Sequence, residues 1–167
     1  SVLDFLLEYG EKFLGKTSVL AKDTPAFIGN RIGIFGIMSL FHQIKNGEFS
    51  IEEVDTLTGP AIGRPKSATF RTADIAGLDT MCHVANGVYD KCPNDESRNV
   101  FKLPEFLNKM LNKNMLGSKT NQGFYKKTKD KNGKTKILSL DLKTFNYNDQ
   151  KKVKYETLSI ARKCKKR

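Results

Sequence analysis

The sequence contains no tryptophan and little of the cysteine and histidine from which disulfide frameworks and metal sites are built. Its three cysteines, Cys82, Cys92 and Cys164, are an odd number without a Cys-x-x-Cys pair. This usage argues against a disulfide-stabilised secreted domain and favours a reducing, cytoplasmic setting. A zinc site built from Cys82, His83 and Cys92 would lack a fourth ligand, so a buried thiol on a helix is the preferred interpretation.

Long apolar stretches and a leader segment are also missing from the sequence. No run reaches the roughly 18 to 20 apolar residues that a membrane-spanning helix needs. The first residues lack the basic region and cleavage site of a secretory signal. The chain begins at Ser1 rather than methionine, which suggests a piece of a longer protein. Its 167 residues suffice for one domain with a hydrophobic core.

Positive charge is concentrated in the C-terminal third of the chain. Residues 1–108 carry 11 basic and 14 acidic side chains, whereas residues 109–167 carry 18 basic and 4 acidic ones. This asymmetry is typical of a surface that binds nucleic acid or another anion, and equally of a solvated linker. A nucleic-acid or anion-binding module is therefore an alternative function, although no known motif for it is present. Aromatic residues interleave with the lysines, as stacking surfaces would; they are Phe124, Tyr125, Phe145, Tyr147 and Tyr155.

Residues 22–32 (KDTPAFIGNRI) predict the start of a long apolar helix that reaches about residue 45. Thr24 is a suitable N-cap and Pro25 a suitable first helical residue. Residues 32–41 carry no charged side chain, so most of the helix surface is predicted to be buried. Asn30 and its neighbour Arg31 would then be buried polar groups that need partners.

Glycines and charges around this helix suggest further contacts. Arg31 is expected to be structural and to pair with Asp74 or Asp79, a solvated charge being the alternative. Glycines within a helix are unfavourable unless another helix or a ligand approaches closely. Near the other end of the sequence, residues 119–125 are expected to fold back against the helices, with glycines permitting the turns. The glycines concerned are Gly29, Gly33 and Gly36 in the helix, and Gly117 and Gly123 in the turns.

Apolar spacing and capping residues predict the remaining elements. Ser1 is placed to cap a first helix, Ser50 and Glu53 form a capping box, and Ser67 is a candidate cap for a fourth helix. The predicted helices cover residues 2–14, 25–45, 50–57, 67–76, 79–89, 104–111 and 155–163. The predicted strands cover residues 17–21, 136–142 and 152–155.

Three blocks of the sequence resemble the C-terminal domain of the NAD-dependent L-3-hydroxyacyl-CoA dehydrogenases. The first is the Thr-Pro-aromatic-Asn-Arg pattern within residues 22–32; the second joins residues 59–65 (GPAIGRP) to 74–80 (DIAGLDT); the third is residues 117–125 (GSKTNQGFY). They occur in the family's order and at about its spacing. The resemblance implies an all-α fold, the helical C-terminal domain of the 6-phosphogluconate-dehydrogenase-like type.

The resemblance also implies a division into three segments. Residues 1–23 would be a helix-strand remnant of the NAD-binding Rossmann domain, residues 24–127 the helical domain, and residues 128–167 a basic linker or extension that is partly β or irregular. No Gly-x-Gly-x-x-Gly motif follows a predicted strand. NAD is therefore expected to bind to the Rossmann domain and not to this chain.

The family oxidises L-3-hydroxyacyl-CoA to 3-oxoacyl-CoA with NAD in fatty-acid β-oxidation. The resemblance thus implies the substrate-cleft and dimerisation domain of such an enzyme, inactive alone because the catalytic His and Glu lie on the Rossmann domain. His42 and His83 fall on predicted helices; His42 is interpreted as a helix C-terminal cap or packing residue, and His83 as a histidine at the edge of the core. The implied partners are acyl-CoA, the protein's own Rossmann domain, and a second copy or the other half of a pseudo-dimer.

Asn30 is the residue to which the resemblance assigns a part in the active site. It matches the asparagine that this domain contributes across the cleft from the catalytic histidine. Its amide can donate to a substrate oxygen, and one such donor is worth a few kcal/mol in the transition state. Arg64 and Lys66, together with Arg71, are candidates for the CoA phosphates because Lys and Arg are the usual phosphate partners. A solvated loop is the alternative for these three side chains.

Overall fold

The computed structural model describes the backbone of residues 1–164 and the side chains of residues 1–161. Along the described chain, six helices are followed by a three-stranded sheet and then by a seventh helix. The helices are α1 (Val2–Lys12), α2 (Gly29–Ile44), α3 (Ile51–Thr58), α4 (Phe70–Ala76), α5 (Leu78–Lys91), α6 (Glu105–Asn112) and α7 (Glu156–Cys164). The strands are β1 (Tyr125–Lys129), β2 (Thr135–Leu140) and β3 (Tyr147–Asp149), and short 3₁₀ turns cover Pro60–Ile62, Arg98–Phe101 and Ser118–Thr120.

Four phenylalanines from different parts of the chain meet at the centre of the core. The ring of Phe41 on α2 lies 5.4 Å from Phe70 on α4, 5.6 Å from Phe106 on α6 and 5.4 Å from Phe124 before β1. All four side chains are buried. Aromatic pairs at such distances contribute about 0.5–1.5 kcal/mol each beyond burial. The cluster therefore fixes the returning C-terminal segment on the helices.

Capping residues explain where α3 and α4 begin. The predicted capping box is confirmed, since Ser50 and Glu53 each accept the other's backbone N–H. The prediction that Ser67 caps α4 is wrong. The carboxylate of Asp55, which projects from α3, accepts the N–H groups of Thr69 and Phe70 at 3.0 and 2.7 Å. A carboxylate on a neighbouring helix thus takes the place of a local cap, and the N-cap residue of α4 is Thr69, two residues later than predicted.

The segment before β1 folds back on α4, as the glycines predicted. Asp74 accepts the backbone N–H groups of Phe124 and Tyr125, each at 2.8 Å. A side chain on Gly117 or Gly123 would overlap Asp74 atoms, and Gly117 also has a φ of +96°. Only glycine allows the two backbones to approach this closely.

The C-terminal part adds a three-stranded antiparallel sheet, with strand order β1-β2-β3, to a mostly helical domain. Tyr125 pairs with Ser139, and Leu140 pairs with Tyr147. The prediction of a helical body is therefore correct, and the β structure that was expected within residues 128–167 forms a three-stranded sheet whose first strand begins at Tyr125. The predicted strand at 152–155 is wrong: the third strand forms at Tyr147–Asp149, where β2 offers a partner.

The N-terminal segment lies apart from the core. The predicted first helix is confirmed as α1, with a capping box between Ser1 and Asp4, but none of its residues is buried. The strand predicted at 17–21 does not form in the described structure. A lone extended segment has no ladder of hydrogen bonds to stabilise it, which is the physical reason for the difference.

Candidate functional site

The start of α2 differs from its prediction. The helix begins at Gly29, with Ile28 as its N-cap residue, four residues after the predicted Pro25. Ala26 and Phe27 have φ values of +63° and +49°, and these left-handed conformations end the turn that follows Thr24. Non-glycine residues in this region carry strain of about 1–3 kcal/mol each. No sequence pattern predicts this late start, because Thr-Pro is a favourable helix start.

Asn30 lies in the first turn of α2 and is exposed, which corrects the prediction that it is buried. Apolar residues next to it in the sequence are exposed as well: Phe27, Ile28 and Ile32 expose 55, 48 and 67% of their surface. A side chain added at Gly29 would meet nothing within 4 Å in the described chain. An amide on an open apolar surface is available to hydrogen-bond to a ligand or to another domain.

Arg31 pairs with Asp95, and not with Asp74 or Asp79 as predicted. Its guanidinium hydrogen-bonds to the Asp95 carboxylate and holds the pKa of that carboxyl below its usual value. Asp74 is buried beneath the segment before β1, and Asp79 instead forms an ion pair with Lys119. The true partner lies 64 residues away in the sequence, a distance at which no periodic pattern links two residues.

The candidate anion-binding residues do not form one cluster. Nη2 of Arg64 lies 3.7 Å from the position where a side chain at Gly36 would start. Gly36 is six residues along α2 from Asn30, which corresponds to about 9 Å of helix rise. Lys66 and Arg71 instead line a cavity of about 510 Å³ against Tyr125. The structure thus groups Lys66 with Arg71 and places Arg64 near the helix that carries Asn30.

Sequence reasoning missed the role of two carboxylates that hold the β1 segment, the buried Asp74 and the half-buried Asp55. Burial raises the pKa of Asp74 to about 6, against the lowering effect of the Tyr125 and Phe124 N–H groups. Burial also raises the pKa of Asp55, which accepts the Tyr125 hydroxyl at 2.7 Å. Their bonding to backbone and tyrosine indicates that they hold the hairpin to the helices. The sequence signal that could have identified these two residues is an acidic side chain on the apolar face of a short helix.

The histidines and cysteines have structural surroundings. Nε2 of His42 lies 3.1 and 3.0 Å from the carbonyl oxygens of Val100 and Lys102, so it links α2 to the segment before α6. His83 is exposed rather than at the core edge as predicted. Burial raises the pKa of the Cys82 thiol to about 12, which leaves it protonated and unreactive at neutral pH.

Neither a metal site nor a membrane-spanning helix was found in the described part of the chain. No group of three or more potential metal ligands occurs there. None of the helices there has the length and apolar character needed to cross a bilayer. The side chain of Cys164 lies outside the described residues.

The described residues lack the features of a Rossmann-type NAD site. Such a site needs parallel strands, a glycine-rich turn and a helix N-terminus that receives the pyrophosphate. The three described strands are antiparallel, and the sequence has no Gly-x-Gly-x-x-Gly motif. What the chain offers instead is Asn30 on an open apolar surface of a helical domain.

The exposed Asn30 amide thus defines a helical domain that presents a hydrogen-bonding side chain to a ligand or to another domain. The family model of the 3-hydroxyacyl-CoA dehydrogenase C-terminal domain matches residues 27–127. The chain belongs to this family. The comparisons give no support to the alternative of a nucleic-acid-binding module.

Relatives and solved structures agree with the family assignment. The chain is 50% identical over 164 residues, 98% of its length, to a probable 3-hydroxyacyl-CoA dehydrogenase of Bacillus subtilis (strain 168), of which it covers 20%. It is 34% identical over 126 residues, 75% of its length, to the mitochondrial hydroxyacyl-coenzyme A dehydrogenase of Homo sapiens, of which it covers 37%. A crystal structure of (S)-3-hydroxybutyryl-CoA dehydrogenase from Ralstonia eutropha matches 74% of this chain and 42% of its own, with a TM-score of 0.62 and 28% identity. The chain thus spans between a fifth and two-fifths of the length of these proteins.

Proposed function

We propose that the chain is the substrate-cleft and dimerisation domain of an NAD-dependent enzyme that oxidises L-3-hydroxyacyl-CoA to 3-oxoacyl-CoA in fatty-acid β-oxidation. The observation that carries the proposal is Asn30, an exposed amide at the open start of α2 in a chain of this family. The setting would be cytoplasmic. Alone, the 167 residues would not oxidise substrate.

Asn30 would act by positioning the substrate. Its amide N–H donates a hydrogen bond to a substrate oxygen at the reacting end, and the amide carbonyl can accept one. A second domain that closed over this end of α2 would exclude water from the hydrogen bond and so strengthen it. Arg64, near Gly36 on the same helix, is better placed than Lys66 to meet a group of a ligand that extends along α2.

A second domain would supply the remainder of the active site. We propose that NAD is held by a Rossmann domain outside these residues and accepts the hydride there. Residues 1–23 would be a part of that domain, since no residue of α1 is buried in this chain. The open surface at Gly29, Gly33 and Ile32 is where the other domain or a second copy would approach.

The test of the proposal is a chimera in which this chain replaces the matching segment of the Bacillus subtilis relative. NADH formation from 3-hydroxyacyl-CoA is measured for Asn30→Ala against the unsubstituted chimera. Loss of one preorganised donor should lower kcat by about 100-fold. The matched control is Asn86→Ala, an exposed asparagine on α5, which should leave kcat within twofold of the unsubstituted value, or about 0.4 kcal/mol.

Two results would contradict the proposal. One is a chimera with Asn30→Ala that folds and retains full kcat, which would remove Asn30 from the active site. The other is NAD reduction by the 167-residue chain alone. Acyl-CoA substrates of increasing chain length, assayed with the same chimera, would define the substrate range.

A further inference from the structure

The first turn of α2, which carries Asn30, is weakly held by its own residues. Its N-cap residue Ile28 makes no side-chain capping hydrogen bond, so the helix start lacks the usual local stabilisation. The two residues before the cap, Ala26 and Phe27, are in left-handed conformations. The direction in which the Asn30 side chain projects therefore depends on a contact from outside the turn.

The ion pair between Arg31 and Asp95 is that external contact. Arg31 follows Asn30 directly, and its guanidinium bonds to Asp95 in the loop between α5 and the 3₁₀ turn Arg98–Phe101. The Asp95 side chain is only 9% exposed, and that of Arg31 34%. The pair therefore ties the start of α2 to a different part of the helical body.

The loop that holds Asp95 is itself firmly fixed. The Asp95 carboxylate also accepts the Ser97 N–H at 2.8 Å. Arg98 donates from its backbone N–H to the Asp95 carbonyl at 3.1 Å and from Nε to the Tyr89 carbonyl at 2.7 Å. The Arg98 guanidinium carbon also lies 4.0 Å above the centre of the Tyr89 ring. Asp95 is thus held in place by contacts within its own loop, and the Arg31 side chain reaches from α2 to bond to it.

We propose that Asp95 is a positioning residue for Asn30, acting through Arg31. This inference rests on the proposed function, because it concerns the geometry of the same amide. The half-buried Asp95 and the planar Arg31 guanidinium hold the first turn of α2 in one orientation. Small errors in placing a substrate-binding group are costly, since misplacement by about 1 Å can lower rates by about 100-fold.

The experiment uses the same chimera with Asp95→Asn, Asn30→Ala and the double variant. Asp95→Asn should lower kcat by about 10- to 100-fold with a smaller change in KM, because the amide is present but misdirected. In the Asn30→Ala background, Asp95→Asn should cause no further loss, since the two substitutions remove the same contribution. Asp149→Asn, which breaks an ion pair with Lys136 on the sheet, is the matched control and should leave kcat unchanged.

A second pair of variants separates positioning from folding. Arg31→Lys keeps the charge and loses the forked geometry, so it should retain more activity than Arg31→Gln. If Asp95→Asn lowers kcat by the same factor with and without Asn30→Ala, the positioning role is overturned. Full activity of Asp95→Asn, with activity lost in Asn30→Ala, would overturn this inference alone. Full activity of Asn30→Ala would overturn the proposed function and this inference together. If Asp95→Asn does not fold, Arg31→Lys and Arg31→Gln are compared with and without Asn30→Ala. A loss of kcat that disappears in the Asn30→Ala background supports the positioning role, and a loss that persists there overturns it.

Discussion

Asp74 shows how one side chain can join two parts of a fold and respond to pH. It lies on α4, is 4% exposed, and accepts two backbone N–H groups from the segment that enters β1. Burial dominates over these hydrogen bonds and raises its pKa from 3.8 to about 6. The native state therefore binds a proton at Asp74 more tightly than the unfolded chain does.

This difference predicts a pH dependence of stability. Between the unfolded pKa and about 6, the native state holds the proton that the unfolded state has lost, so the free energy of unfolding falls as pH rises. The limit of this contribution is about 3 kcal/mol. Urea unfolding of the wild-type chain and of Asp74→Asn between pH 4 and 7 measures it. The wild type should lose stability relative to the variant as pH rises, whereas Asp149→Asn should run parallel to the wild type; parallel curves for Asp74→Asn would contradict the prediction.

Individual residues were predictable only where a local pattern or a family motif recorded their role. The capping box of Ser50 and Glu53 follows from spacing alone, and Asn30 was found through its motif. The partner of Arg31 was missed because Asp74, Asp79 and Asp95 are equivalent in sequence terms. Only the packing of α5 against α2 decides which carboxylate meets the guanidinium.

At the scale of elements, α1 is a well-formed helix that buries none of its residues against the described part of the chain. It has a capping box and helical apolar spacing, yet most of its apolar side chains are exposed. The exposed set includes Val2, Phe5 and Leu6. A helix with such a face is stabilised by packing on another body rather than by its own propensity.

Deleting residues 1–14 should therefore leave the helical body intact. No buried contact is lost, so the free energy of unfolding should change by less than about 0.5 kcal/mol. Urea unfolding followed by circular dichroism measures this, with Phe41→Ala as a core variant that should cost about 3–5 kcal/mol. A loss of stability in the deletion comparable to that of Phe41→Ala would show that α1 packs on the body in solution.

Helices were easier to predict than strands or element boundaries. Helices α1 to α7 were all predicted, because apolar spacing is a strong signal for a helix. The start of α2 was four residues off and the cap of α4 two, since Ala26 and Phe27 in left-handed conformations and the cap from Asp55 are tertiary effects. Of the three strands only β2 was predicted: β1 was missed, and the strand expected at 152–155 forms instead at Tyr147–Asp149, because pairing with β2 selects it.

At the scale of the whole molecule, the feature to consider is the residue at which the helical domain ends. The domain was predicted to end at residue 127, where the family model match also ends. The sheet continues beyond this point, and Leu140 on β2 is 3% exposed in the core cluster. Its N–H donates to the Phe124 carbonyl at 2.8 Å, and the Ser139 hydroxyl donates to Glu52 on α3 at 2.6 Å. These contacts imply that the basic segment contributes to the stability of the acidic body.

A chain that ends at residue 127 should therefore be much less stable than one that ends at residue 154. The first truncation removes β2 and the Leu140 contact; the second removes only α7, whose described side chains are mostly exposed. Leu140→Ala in the full chain isolates the packing effect and should cost about 2–5 kcal/mol. Urea unfolding of the full chain, the two truncated chains and Leu140→Ala measures the differences. If the chain ending at 127 unfolds at the same urea concentration as the full chain, the sheet is an appendage and the predicted boundary holds. If only the chain ending at 154 keeps the full stability, the folded unit includes the hairpin, because Phe124 and Leu140 then belong to one cooperative core.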